Sequence, residues 1–128
     1  MSKNLTLSIK QEFFDKILAG TKIIETREIR PNNMVKYCQV DEEGFAIEND
    51  KGIEPAIYDT ITFLTGAYVG KRPKMIVKVK SARILLLEDE ETHELIILKD
   101  DKGEDYFAAV IEYKLGEILE APVQKSNV

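Results

Sequence analysis

The sequence predicts an α+β protein, a β-barrel or sandwich of five to seven short strands with one N-terminal helix flanking it. Three observations lead there. Short apolar runs recur at close spacing, and turn residues such as Asp41-Glu42-Glu43-Gly44 and Asp100-Asp101-Lys102-Gly103 lie between them. Only one stretch near the start, Gln11 to Ala19, has the spacing of an amphipathic helix. The chain has 128 residues, 44% of them apolar and 32% charged, which suits a single compact domain and excludes wholesale disorder.

Leu5, Leu7 and Ile9 alternate with Thr6, Ser8 and Lys10, the period of a strand with one buried face. In the helix that follows, Phe13, Phe14, Ile17 and Leu18 form one stripe, and Gly20 stands where helices commonly end in a left-handed residue. Thr21 to Arg30 reads as strand until Pro31 ends it. From Pro31 to Tyr58 the pattern weakens. Met34 to Val40 and Phe45 to Glu48 are expected as a hairpin, and residues 32–57 as an excursion from the core. Thr60 to Leu64 and Met75 to Leu87 are expected strands on either side of a basic loop. His93 to Lys99 and Tyr106 to Lys114 are expected to pair around Asp100–Gly103. The domain is expected over 1–120, with 121–128 as a flexible tail containing Pro122.

Composition narrows the function classes. Eighteen basic against twenty-three acidic residues give a net charge of −5, unlike a protein that coats nucleic acid indiscriminately. The distribution is uneven. Residues 71–83 carry six basic side chains and no acid, whereas 84–120 carry twelve acids and three bases. Such asymmetry gives either differently solvated strands or a local anion-binding surface. No apolar run reaches the roughly 20 residues of a membrane helix. The opening residues lack a signal-peptide block, which predicts a cytoplasmic protein. Cys38 is the one cysteine and His93 the one histidine, so they cannot assemble a zinc site, and no metal or other cofactor is expected. Cys38 is expected to be buried, His93 to lie at the surface, and Glu88–Glu94 to form a solvated turn.

The most informative stretch is Ile17 to Arg27, where a helix ending in Gly feeds a strand that mixes apolar and ionised residues. Lys22, Ile24, Thr26, Glu28 and Arg30 fall on one face, and Ile23, Glu25, Arg27 and Ile29 on the other. Neither is a clean core face or a clean solvent face. An exposed strand with ordinary surface ion pairs is one solution. The other is a strand lining a cleft, where Glu25 and Arg27, two apart, share a side and Lys22 joins them through a bend near Gly20.

Leu7-Ser8-Ile9-Lys10, then Phe14-Asp15-Lys16-Ile17-Leu18-Ala19-Gly20-Thr21-Lys22, then Glu25-Thr26-Arg27, resemble the opening of ASCH domains. The shared pattern is a strand, a helix ending in Gly, then Gly-x-Lys-x-x-Glu-x-Arg. It covers about a fifth of the chain, and residues 32–57 have no counterpart in it. The resemblance implies a PUA-like β-barrel with a cleft between barrel and helix, and binding of RNA or a nucleotide. It also implies a second activity, since one branch of such proteins consists of amidohydrolases that deacylate N4-acetylcytidine. Those enzymes use a Lys matching Lys22, a Thr at the position of Glu25, and a distant Glu that has no assignable match here.

That departure matters. A Lys acting as base or nucleophile must spend time neutral, and a neighbouring Glu favours the ammonium. A carboxylate-based variant survives, in which Glu25 activates water and Lys22 or Arg27 stabilises the oxyanion. For binding, Arg27 offers a planar fork, Lys22 a point charge, and Glu25 an acceptor for an exocyclic amine. The expected ligand set is Lys22, Glu25, Thr26, Arg27 and Arg30 on the strand, with Tyr68, Lys71, Arg72 and Lys74 in the basic loop. Three functions stay open: an RNA- or nucleotide-binding module, a small amidohydrolase, or a protein-interaction module using the acidic C-terminal half.

Overall fold

Alternation along the first strand and the stripe that follows it set an architecture described here for residues 3–66 and 73–122 by a computed structural model. In chain order the elements are β1 (Asn4–Ser8), α1 (Gln11–Leu18), β2 (Ile24–Ile29), α2 (Met34–Tyr37), β3 (Glu48–Asn49) and β4 (Gly52–Ile53). They continue with β5 (Thr60–Leu64), β6 (Lys74–Leu86), β7 (Ile97–Lys99), β8 (Asp105–Phe107) and β9 (Ala109–Glu120). The class is α+β and mostly strand. A five-stranded sheet runs β1-β5-β6-β9-β2, and β3-β4 and β7-β8 form separate two-stranded sheets. The chain divides into two compact units, one built from 1–25, 58–81 and 114–128, the other from 26–57 and 82–113.

In the first unit the core follows from register. β1 pairs parallel to β5 and β5 antiparallel to β6, so Leu5 and Leu7 lie opposite Ile61 and Phe63, which lie opposite Val77 and Met75. All six are buried, as period-two alternation requires when one face meets the core. Each contributes about 1.5–3 kcal/mol of apolar burial. Phe14 and Ile17 of α1 are buried in the same unit.

In the second unit Ile29, Tyr37, Cys38, Ala108, Ala109, Ile111 and Tyr113 are buried, and the Tyr37 and Tyr113 rings pack tilted with centroids 6.5 Å apart. Its two Gly-containing turns are built alike. The Asp41 carboxylate accepts from the Glu43 and Phe45 N–H groups, and the Asp100 carboxylate from those of Lys102 and Glu104. In each, the glycine N–H donates back to the aspartate carbonyl at 3.0 Å.

Several expected elements differ. Met34 to Val40 is not a strand: Met34–Tyr37 forms a helical turn, and only a single bridge joins Val40 to Ala46. The cause lies just upstream, where the Asn33 side chain accepts from the Arg30 N–H at 2.7 Å and donates to the Glu28 carbonyl, coiling the chain after Pro31. Ordered pairing in this region instead joins β3 to β4 around Asp50-Lys51. The strand expected from Thr21 begins only at Ile24, because the helix end occupies Thr21 and Lys22. The strand expected from His93 begins at Ile97. Tyr106 to Lys114 is broken at Ala108, whose N–H donates to the Ile96 carbonyl while its own carbonyl accepts from Leu87. Beyond that break β9 continues to Glu120.

Candidate functional site

The end of α1 is what places Lys22. The Gly20 N–H donates to the Ile17 carbonyl at 3.0 Å and the Thr21 N–H to the Lys16 carbonyl at 2.9 Å. This pair of bonds closes the helix with a left-handed residue, and Gly20 has φ +80°. The Lys22 N–H and the Thr21 hydroxyl both donate to the same Lys16 carbonyl, so the chain leaves the helix in a fixed direction.

Lys22 Nζ donates to the Ile24 carbonyl at 2.7 Å, lies 3.2 Å from Glu25 Oε1, and stands 5.6 Å from the centre of the Phe13 ring. Glu25 is 6% exposed. A carboxylate buried to that degree requires a partner, and the ammonium two turns of backbone away supplies one. Along β2 the odd positions turn inward: Glu25 and Ile29 are buried and Arg27 half-buried, while Ile24, Thr26 and Glu28 are exposed. The mixed strand is therefore a strand with a partly ionised inner face.

In the second unit, two clefts meet at Arg30. The first, of about 360 Å³, is lined by Arg27, Glu28, Arg30, Asn32, Asn33 and Tyr37. The other, of about 460 Å³, has Arg30, Pro31 and Asn32 on one side, with Lys99, Lys102, Glu104 and Tyr106 among the hairpin residues that complete it. Arg30 Nη2 lies 3.0 Å from Glu28 Oε2. That hydrogen bond holds the Glu28 carboxyl below its ordinary range and raises the Arg30 guanidinium above its own. Lys99 is engaged by Asp105 at 2.8 Å.

The expected site residues thus divide. Lys22 and Glu25 meet in the first unit, and Arg27 and Arg30 line one cleft of the second. Thr26 is exposed on the outer side of β2. Lys74 opens β6 as an exposed residue opposite Leu64. Tyr68, Lys71 and Arg72 lie outside the described residues. Sequence reasoning missed Asn32, Asn33, Tyr37, Lys102 and Tyr106 as lining residues. Pro31-Asn32-Asn33 is a turn signal, but that a turn walls a cleft depends on contacts distant in the chain.

The remaining candidates are plain. Cys38 is buried, and burial pushes its thiol above the ordinary range. His93 is exposed, with Nδ1 3.4 Å from Glu88 Oε2. Asp89 in the acidic turn accepts from the Glu91 and Thr92 N–H groups, which hold its carboxyl below the usual value. Among the described residues no cluster of His, Cys, Asp and Glu could hold a metal ion, and no helix is long and apolar enough to cross a membrane. No protein-family model, curated protein or solved structure matches the chain.

Proposed function

We propose that the chain is an ASCH-type module with a PUA-like fold that binds RNA or a nucleotide, with Arg27 and Arg30 as the anion-holding residues. The observation that carries this reading is that two guanidinium groups line one cleft together with the side chains of Asn32, Asn33 and Tyr37. Guanidinium forks match phosphate oxygens, amides donate to phosphate or read a base edge, and a tyrosine face can receive a base. The mostly strand α+β architecture is compatible with a PUA-like barrel. Lys22 fits a supporting role better than a chemical one, because its ammonium is already engaged by the Ile24 carbonyl and Glu25.

The test is fluorescence polarisation with a labelled single-stranded RNA oligomer at two salt concentrations. Binding is expected to weaken with salt, with a log–log slope of about −0.7 per phosphate contacted, and to be lost in Arg27→Ala with Arg30→Ala. Binding that is absent, or indifferent to salt and to both substitutions, overturns the reading. Acetate release from N4-acetylcytidine that stops in Lys22→Ala and in Glu25→Ala would instead establish the amidohydrolase.

A further inference from the structure

The two clefts of the second unit share Arg30 and Asn32 as a common wall, yet their chemistry is opposite. The cleft on the Arg27 side holds two guanidiniums against one carboxylate, Glu28. The cleft on the hairpin side adds the carboxylates of Asp101 and Glu104 and the phenol of Tyr106. We infer that the hairpin cleft is a base subsite that selects nucleotides whose base carries an exocyclic amine over those of uracil. This rests on the nucleotide-binding reading above.

The hairpin residues are sorted by what already occupies them. The Asp100 carboxylate is used by the turn itself, accepting the Lys102 and Glu104 N–H groups at 2.9 Å each. Lys99 is used by Asp105. Asp101 and Glu104 enter no ion pair among the described residues, and the turn that carries them is fixed by the Asp100 bonds, by Asp100 N–H to the Glu104 carbonyl and by Gly103 N–H to the Asp100 carbonyl. Two uncommitted carboxylates are therefore presented on an ordered turn, so little ordering entropy is lost on binding. Both Tyr106 and Asp101 lie close enough to act electrostatically on the Arg30 guanidinium, consistent with one continuous site.

An ionised carboxylate accepts hydrogen bonds and cannot donate them. It suits the N4 amine of cytosine, the N6 amine of adenine, and the N1–H and N2 amine of guanine. Uracil presents O4 where cytosine has its amine, and a carboxylate facing O4 repels it. The same carboxylates repel a phosphate, so charge alone orients the ligand: phosphate toward Arg27 and Arg30, base toward the hairpin, with the Tyr106 ring available for stacking.

Calorimetric titration of the full chain with CMP, AMP, GMP and UMP tests this. The three amine-bearing nucleotides should bind about fivefold or more tighter than UMP, the lower bound of what a good base contact discriminates. Asp101→Asn combined with Glu104→Gln, which keeps shape and adds amide donors, should erase the preference while UMP binding holds or improves. Equal affinity for all four nucleotides, or a preference that survives the double variant, overturns the subsite and leaves the nucleotide-binding reading standing. If neither RNA nor any of the four nucleotides binds, that reading itself fails and the subsite falls with it.

Discussion

Lys22 and Glu25 form an ion pair of 3.2 Å at the point where the chain passes from helix to strand, with Glu25 almost wholly removed from solvent. Because the carboxylate is the more buried partner, removing the ammonium costs more than removing the carboxylate charge. Lys22→Met is expected to lower stability by about 1–3 kcal/mol, and Glu25→Gln by less, since the amide retains an acceptor. Urea denaturation of both variants measures this, and a Lys22→Met protein as stable as the parent would show that the pair contributes nothing.

The Asp100 carboxylate spans its turn by accepting two backbone N–H groups, and Asp41 does the same in its own turn. Asp100→Ala is expected to cost about 0.5–1.5 kcal/mol, softened by solvent at an exposed turn. Amide hydrogen exchange gives the sharper readout: Lys102 and Glu104 should lose protection while the β5 amides keep theirs. Unchanged exchange at Lys102 and Glu104 would rule out the side chain as the brace of the turn.

Cys38 is 3% exposed, and burial raises its thiol pKa. At pH 8 iodoacetamide should alkylate it slowly in the folded protein and rapidly in urea, since attack requires an accessible thiolate. The sign of the linked stability follows. A group whose folded pKa lies above its unfolded value contributes fully below the unfolded value, about 8.5 for a thiol, and loses that contribution as pH rises toward the folded one. Stability should therefore decline in mildly alkaline solution, and Cys38→Ala should flatten that limb of the curve. Equal alkylation rates in the folded and unfolded protein would contradict the burial.

Asp89 and Glu28 are displaced in the opposite sense, the first by backbone N–H donors of Thr92 and Glu91, the second by the Arg30 hydrogen bond. Carboxyls depressed in the folded state stabilise it above their unfolded values and cease to do so as pH falls through the folded ones. Chemical-shift titration should show both resonances moving at lower pH than the free residues, near pH 4 for an unperturbed carboxyl. Arg30→Ala should return Glu28 toward its ordinary value and leave Asp89 in place.

Legibility tracked how local each determinant is. Leu5-Leu7, Ile61-Phe63 and Met75-Val77 announce their strands because alternation alone decides which face is buried, and the structure buries all six. The Gly20 helix end was equally readable, since a left-handed position after an apolar stripe has few other interpretations. Met34 to Val40 misled because its composition suits a strand, whereas the Asn33 side chain redirects the backbone first. Tyr106 to Lys114 looks continuous, and the break at Ala108 arises from bonds to Ile96 and Leu87, residues that no local pattern points to. At the site, Lys22 beside Glu25 and the inward set of Arg27 were inferable from spacing in β2. The lining of the clefts was not, because Tyr37, Lys102 and Tyr106 reach them only through tertiary folding.

The division of the chain has a practical outcome for anyone wishing to isolate one half of it. The four passages between the units fall at 25/26, 57/58, 81/82 and 113/114. Three of these lie inside β2, β6 and β9 rather than in loops. A contiguous gene fragment thus encodes neither half, and a protease seeking a linker meets hydrogen-bonded ladder at three of the four junctions, so limited digestion should nick turns such as Asp41–Gly44 and leave the halves unseparated.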